Sequence, residues 1–124
     1  MILADTSVWV EHLRQGDIEM KARLESGAIV MHPYVMGEIA LGQLPRRELT
    51  LALLTTLPMA PTASLPECLA FIQRHALHGR GIGCVDVHLL ASVALAAGAR
   101  LWTSDKRLAS AAQPLGLLHQ PHLH

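Results

Sequence analysis

Short apolar runs alternate with longer amphipathic stretches along this chain. The runs "MILA", "AIVM" and "RLW" are too short for helices, and unbroken apolar runs of this length are typical of strands buried on both faces of a parallel sheet. Helical spacing of apolar residues fills the segments between them. The pattern therefore predicts an α/β fold in which a short central parallel sheet carries helices on both faces.

Residues that start and stop helices agree with this alternation. Asp17 is expected to cap the second helix, between Gly16 and Gly27, which end the first and second helices. Ser64 and Glu67 form a capping box for a later helix. Two further short strands are predicted at "MAP" and "GLL", at the edges of the sheet.

One helix carries more apolar surface than a small sheet can cover. In "LTLALLTTL", Leu49, Leu53, Leu54 and Leu57 form one stripe, which leaves Leu51 outside it. Since 51% of the residues are hydrophobic, we expect some of this surface to meet a second copy of the chain in a homodimer.

Length and composition limit the class of protein. The 124 residues fit a single domain over 1–124, and the ten acidic and ten basic residues balance to a formal charge of zero. The opening apolar run is too short for a signal peptide, and the longest nearly apolar stretch, residues 89–97, is far below the ~20 residues of a membrane span. We expect a soluble, cytoplasmic protein without membrane contact.

Cysteines and histidines add little chemistry. Cys68 and Cys84 do not form a C-x-x-C pair and are expected to be small core residues in a reducing compartment. The ending "HQPHLH" holds three of the eight histidines, and either a frayed terminus or a metal-binding role explains it.

Four acidic residues are expected at one edge of the sheet. Asp5 and Asp105 each follow a predicted strand, and in open α/β sheets ligands bind at the carboxyl ends of the strands. Glu38 lies in the helix after "AIVM", and Asp86 begins the helix after the glycine-rich loop "HGRGIGC". Both can point toward the same edge.

Each acid also has an ordinary structural explanation. Asp5 and Asp105 can cap helices, Asp86 can stabilise a helix dipole, and Glu38 can be a solvated helix residue. Glu38 is nevertheless expected on an apolar face, with no basic residue anywhere in 31–44. Four acids at one edge repel one another, and a divalent cation such as Mg²⁺ or Mn²⁺ offsets that repulsion.

The segments around these acids resemble those of PIN-domain ribonucleases, and within them the VapC-type toxins of toxin–antitoxin modules. The similar segments are "DTSVW", "EIALG", "DVHLLAS" and "TSD", in the family's order and spacing over nearly the whole chain. The resemblance implies a PIN-like three-layer sandwich. It also implies metal-binding, catalytic acids and two supporting hydroxyls: Asp5, Glu38, Asp86 and Asp105, with Ser7 and Thr103.

The same resemblance implies an activity and partners. It implies Mg²⁺- or Mn²⁺-dependent endonucleolytic hydrolysis of RNA, in which water activated by the cation attacks the phosphorus, together with a homodimer and a small antitoxin as inhibitor. One departure is that many relatives carry "IAA" after the third acid, where this chain has Leu89, Leu90 and Ala91. The change replaces apolar residues by apolar residues and concerns helix packing only.

RNA must be held locally because the net charge is zero. Arg80 in the glycine-rich loop and Lys106 with Arg107 beside the fourth acid are the candidate phosphate contacts, although each can equally be a solvated surface charge. Arg46 and Arg47 are weaker candidates. With four aromatic residues in the chain, an extended base-stacking platform is not expected.

Other functions fit the sequence less well. A phosphate-accepting receiver domain would need an aspartate at a mid-chain strand end, but no acid lies between Glu48 and Glu67. An aspartyl-nucleophile phosphatase would need aspartate where Ser7 stands. His88 is one helical step, about 100°, away from Asp86 and is not expected in the site. A housekeeping RNA-processing nuclease and a catalytically inactive PIN binding module remain the alternatives.

Overall fold

The computed structural model describes residues 1–121, which form an alternating series of strands and helices. In chain order the elements are β1 (Ile2–Ala4), α1 (Thr6–Gln15), α2 (Ile18–Glu25), β2 (Ile29–Val30), α3 (Pro33–Leu41), α4 (Arg47–Leu54), α5 (Leu65–His75), α6 (Cys84–Ala94), β3 (Arg100–Trp102) and α7 (Lys106–Ala112), followed by a short 3₁₀ helix (Gln113–Leu115). The predicted order of strands and helices is confirmed.

The three strands form a parallel sheet in the order β2-β1-β3. Every residue of β1 and β2 is buried, so helices cover both faces and the predicted three-layer α/β architecture is confirmed. The two predicted edge strands, "MAP" and "GLL", each reduce to one isolated bridge, Met31 with Met59 and Leu101 with Leu118. Pairing there ends after a single position.

Helix α6 runs through the middle of the core. Seven consecutive residues, 87–93, are buried, and Leu89 and Leu90 are fully enclosed. A helix that is apolar on all sides must be covered all round. The leucines at the position of the family departure are therefore accommodated in the core.

A buried polar link joins α3 to α6. The His32 side chain caps α3 by accepting the Tyr34 backbone N–H at its Nδ1 (3.0 Å). Its Nε2 therefore carries the proton and donates to Ser92 Oγ on α6 (3.2 Å), which also accepts the Ala63 N–H (3.1 Å). Burial, followed by the nearby His88, lowers the pKa of His32, which keeps this ring neutral. The sequence analysis did not predict that His32 caps this helix.

The leucine stripe of α4 does not lie as predicted. Leu54 is buried and Leu57 partly buried, but 48% of Leu49 and 60% of Leu53 are exposed, while Leu51 is partly buried instead of outside. Only the C-terminal part of the stripe, Leu54 and Leu57, reaches the core. The apolar surface left uncovered is therefore the N-terminal part of the stripe itself.

Two smaller predictions need correction. Cys68 is buried as expected, but Cys84 is exposed because it occupies the first position of α6, at the end of the glycine-rich loop. His119 is not part of a frayed terminus, since it is buried and its Nε2 lies 3.2 Å from Glu19 Oε1. The other two histidines of the ending, His122 and His124, lie outside the described residues.

Within residues 1–121, no helix is long and apolar enough to cross a membrane.

Candidate active site

Asp5 is the most enclosed of the four acids. It follows β1 and caps α1, with 4% of its surface exposed. Its Oδ1 accepts hydrogen bonds from the Val8 backbone N–H (3.1 Å) and from Ser7 Oγ (2.6 Å), and its Oδ2 accepts one from Thr103 Oγ1. Both predicted supporting hydroxyls therefore donate to this carboxylate and fix its orientation.

Asp105 is joined to Asp5 through the same hydroxyls. Its backbone N–H donates to Thr103 Oγ1 (3.0 Å), and the N–H of the preceding residue, Ser104, lies 3.4 Å from Ser7 Oγ. The Asp105 side chain is exposed and caps α7 by accepting the Leu108 N–H (3.0 Å). The capping role and the placement beside Asp5 coexist, because a helix begins at the end of each strand.

Glu38 does not lie on a buried apolar face, and that expectation is wrong. The buried face of α3 carries Val35 and Ile39, and Glu38 is exposed. Its Oε1 accepts a hydrogen bond from Thr6 Oγ1 (2.5 Å), the first residue of α1. Sequence reasoning missed Thr6, although it lies inside the segment "DTS" that signalled the site.

Asp86 shows that the four acids share one region. It lies in the first turn of α6 and is partly buried. Burial, followed by the negative charges of Asp5, Asp105 and Glu38, raises the pKa of its carboxyl to about 6. Because the charges of three other carboxylates act on Asp86, the four predicted acids form one cluster.

Within residues 1–121, no salt bridge compensates this charge. The salt bridges found within residues 1–121 involve Glu11 and Glu19, and none includes a member of the cluster. The hydrogen bonds to Asp5 and Glu38 come from hydroxyls and a backbone amide, which are neutral donors. The cluster therefore carries uncompensated negative charge, which is the electrostatic environment of a cation site.

The donor set fits a hard divalent cation. Carboxylate oxygens are the ligands that Mg²⁺ and Mn²⁺ prefer, and Mg²⁺ usually binds one or two carboxylates and keeps several waters. In the described part of the chain, no three histidine, cysteine, aspartate or glutamate side chains are already arranged to hold an ion. The cluster therefore fits an ion bound partly through water, or one that draws the carboxylates together.

Three predicted phosphate contacts lie together. Arg80, Lys106 and Arg107 are exposed and line, with Ser110, one surface depression of about 370 Å³. The weaker candidates lie elsewhere. Arg47 is occupied with the end of α3, where its guanidinium donates to the backbone oxygens of Ala40 and Gly42.

An apolar groove opens beside Glu38. It has a volume of about 330 Å³, and Val10, Leu13, Ile39 and Leu44 contribute its apolar lining. His88, by contrast, lies in the core, with its Nδ1 2.9 Å from the Cys84 carbonyl oxygen. Its exclusion from the predicted site agrees with this position.

A parallel α/β sandwich that collects acids at the carboxyl ends of its strands belongs to the class of folds that bind ligands at that edge. The PIN domain family matches residues 2–114, and the chain belongs to this family. It is 47% identical over 117 residues to the proteins named Ribonuclease VapC32 from two strains of Mycobacterium tuberculosis, CDC 1551 / Oshkosh and ATCC 25618 / H37Rv. The match covers 94% of this chain and 94% of each relative.

The raised pKa of Asp86 predicts a pH-dependent stability. A carboxyl whose pKa rises from 3.8 to about 6 on folding binds its proton more tightly in the folded state, so its contribution to stability falls as pH rises from about 4 to 6. Asp86→Asn removes this loss of stability because asparagine does not titrate. In chelator, the melting temperature of Asp86→Asn should exceed that of the wild type, and the difference should grow between pH 4 and pH 7.

Thermal unfolding across this pH range measures the effect, with the exposed Glu25→Gln as a control that should show no such trend. Asp86 is preferred over Asp5 for this test, because Asp5→Asn would also disturb the hydrogen bond from Thr103. A constant difference between Asp86→Asn and wild type at all pH values would show that folding does not raise the pKa of Asp86.

Proposed function

We propose that this chain is a metal-dependent endoribonuclease and the toxin of a toxin–antitoxin pair, acting in the cytoplasm. The observation that carries the proposal is the cluster of four acids: after burial, the charges of Asp5, Asp105 and Glu38 raise the pKa of Asp86, and no salt bridge within residues 1–121 includes a member of the cluster. Its likeness to proteins named Ribonuclease VapC32 supports RNA as the substrate.

Asp5, Asp86 and Asp105 would hold Mg²⁺ or Mn²⁺, and Glu38 would contribute to the same ion or to a second one. Such a cation, when bound, polarises a phosphoryl oxygen and makes water nucleophilic at neutral pH. No protein nucleophile is needed for this reaction.

The remaining residues orient the carboxylates. Ser7 and Thr103 donate to opposite oxygens of Asp5, so its carboxylate has little rotational freedom left to lose. Thr6 holds Glu38 in the same way from the first turn of α1. Because these hydroxyls are neutral, they fix the acids without cancelling the charge that attracts the cation.

The basic side chains near the acid cluster hold the RNA. Arg80, Lys106 and Arg107 line one depression, and Lys106 directly follows Asp105 in the chain. A phosphate of the backbone next to the scissile one can bind there, which positions the RNA without reading its bases.

Asp5→Asn should abolish RNA hydrolysis while the protein stays folded, because the amide keeps the shape of the side chain and removes its charge. The loss of activity should exceed the roughly 10- to 100-fold loss expected when a residue that hydrogen-bonds to a metal ligand is changed. The measurement is cleavage of mixed cellular RNA with Mg²⁺ or Mn²⁺ and with chelator.

Asp17→Asn is the matched control, because Asp17 also caps a helix, accepting the Met20 N–H at 2.8 Å, but lies outside the acid cluster. This variant should keep wild-type activity. Full cleavage in chelator, or by Asp5→Asn, would refute the metal-dependent mechanism.

We further propose a homodimer, with its interface on α5 and not on α4. Leu53 of α4 borders a groove of about 240 Å³ against α1, and that groove shares Leu13 with the groove beside Glu38. The surface of α4 is therefore better suited to bind an inhibitor that reaches the acid cluster than to bind a second copy of the chain. Helix α5 presents Leu65 and Leu69, 60% and 56% exposed, on a separate face.

Leu69→Glu should therefore convert a dimer to a monomer, because a twofold contact brings the same charge in from both copies. Light scattering at micromolar concentration measures the mass. Leu49→Glu, an equally drastic change at an exposed leucine of α4, should leave the dimer intact. A monomeric mass for the wild type would contradict the dimer itself.

The inhibitor is proposed to be a short antitoxin protein that covers the acid cluster. An arginine suits this cluster because its planar guanidinium pairs with two carboxylates and competes with the cation. An apolar segment of the same partner would fill the groove beside Glu38, since a charge contact alone is screened by salt.

Expression of the wild-type chain alone should arrest bacterial growth, and co-expression with the neighbouring small gene should restore it. Growth curves measure both effects, and Asp5→Asn is the control that should not arrest growth. If the wild type leaves growth unaffected while it cleaves RNA in the tube, the housekeeping RNA-processing function replaces the toxin function.

A further inference from the structure

Gly81 in the glycine-rich loop lies directly under the side chain of Arg107. Its backbone has φ +74°, and a Cβ placed there would lie 2.6 Å from Arg107 Nη1, 3.2 Å from its Cζ and 3.3 Å from its Cδ. These separations are shorter than van der Waals contact. Arg107 can therefore occupy its present position only because residue 81 has no side chain.

The side chain of Arg107 lines a surface depression with a positively charged lining. Arg80 and Lys106 line it together with Arg107, and none of the three has a salt bridge to an acid within residues 1–121. Lys106 directly follows Asp105 of the acid cluster. Positive charge without a salt bridge thus follows the proposed catalytic acid Asp105 directly in the chain, where it can bind a phosphate of an RNA that reaches the acids.

We propose that this depression is a binding subsite for an RNA phosphate next to the scissile one, and that Gly81 is a positioning residue that holds Arg107 in it. The inference rests on the proposed function and adds a residue to it. The guanidinium of an arginine presents a planar set of donors that matches a phosphate in two places, so its placement matters more than its charge alone.

The contact with Gly81 also explains why a substitution should act on binding and not on folding. The atoms that a Cβ would meet belong to the far end of a flexible side chain and not to backbone. Gly81→Ala should therefore leave the fold in place and push the guanidinium out of the depression.

Gly79→Ala is a matched control in the same loop. Gly79 has nearly the same backbone conformation, φ +72°, but a Cβ there meets nothing within 4 Å. Both variants place a side chain at nearly the same positive φ, and only the added Cβ of Gly81→Ala meets Arg107. A comparable fall in melting temperature for both would confirm that the strain is matched.

The test measures binding of a single-stranded RNA oligonucleotide by fluorescence anisotropy, in the Asp5→Asn chain with Mg²⁺ so that the RNA stays intact. Gly81→Ala should weaken binding about three- to tenfold and make the slope of log affinity against log salt less negative by about 0.7, which corresponds to the loss of one phosphate contact. Gly79→Ala should change neither. In the Arg107→Ala background, Gly81→Ala should have no further effect, because the two changes remove one interaction.

Equal binding by Gly81→Ala and Gly79→Ala would overturn the inference while leaving the proposed nuclease function intact. Wild-type protein that neither binds nor cleaves RNA would overturn both. Should Gly81→Ala fail to fold, the pair Gly81→Asn and Gly79→Asn applies the same comparison, since asparagine carries the Cβ and tolerates positive φ better than other residues.

Discussion

The parallel pairing of β1 with both of its neighbours is the constraint on which the rest of the molecule depends. Ala4 pairs with Trp102, and the Asp5 N–H donates to the Trp102 carbonyl oxygen at 2.9 Å. This register brings the residues after β1 and β3 side by side, so that Thr103 reaches the Asp5 carboxylate. A shift by one residue would turn these side chains to the opposite face and dismantle the site.

The acid cluster works against the stability of the fold, and the surrounding structure compensates for it. Asp86 is held among like charges by a helix whose residues 87–93 are all buried. The buried link from His32 to Ser92 ties α3, which carries Glu38, to the same helix. Because removing one partner of such a link leaves a buried polar group unsatisfied, the two helices stay together despite the repulsion between their acids.

Sequence reasoning succeeded where local patterns determine the structure. The strand ends and helix caps predicted that Asp5 and Asp105 lie side by side, because a capping residue that follows a strand of a parallel sheet lies at the carboxyl edge of that sheet. It placed Glu38 in the cluster but was wrong about its burial, which depends on which face of α3 meets the core. It was also wrong about which leucines of the α4 stripe are covered, because that depends on packing between elements distant in sequence. The contact of Gly81 with Arg107 joins residues 26 positions apart and leaves no periodic signal.

The zero net charge has a physical meaning once the charges are placed in space. Acids gather at the carboxyl edge of the sheet, and cations gather just beyond it, where α7 begins beside the glycine-rich loop. A chain without an overall basic field does not attract RNA from a distance. Its hold on RNA would then depend on a few contacts of defined geometry, so that displacing a single guanidinium matters more here than in a protein with a broad basic surface.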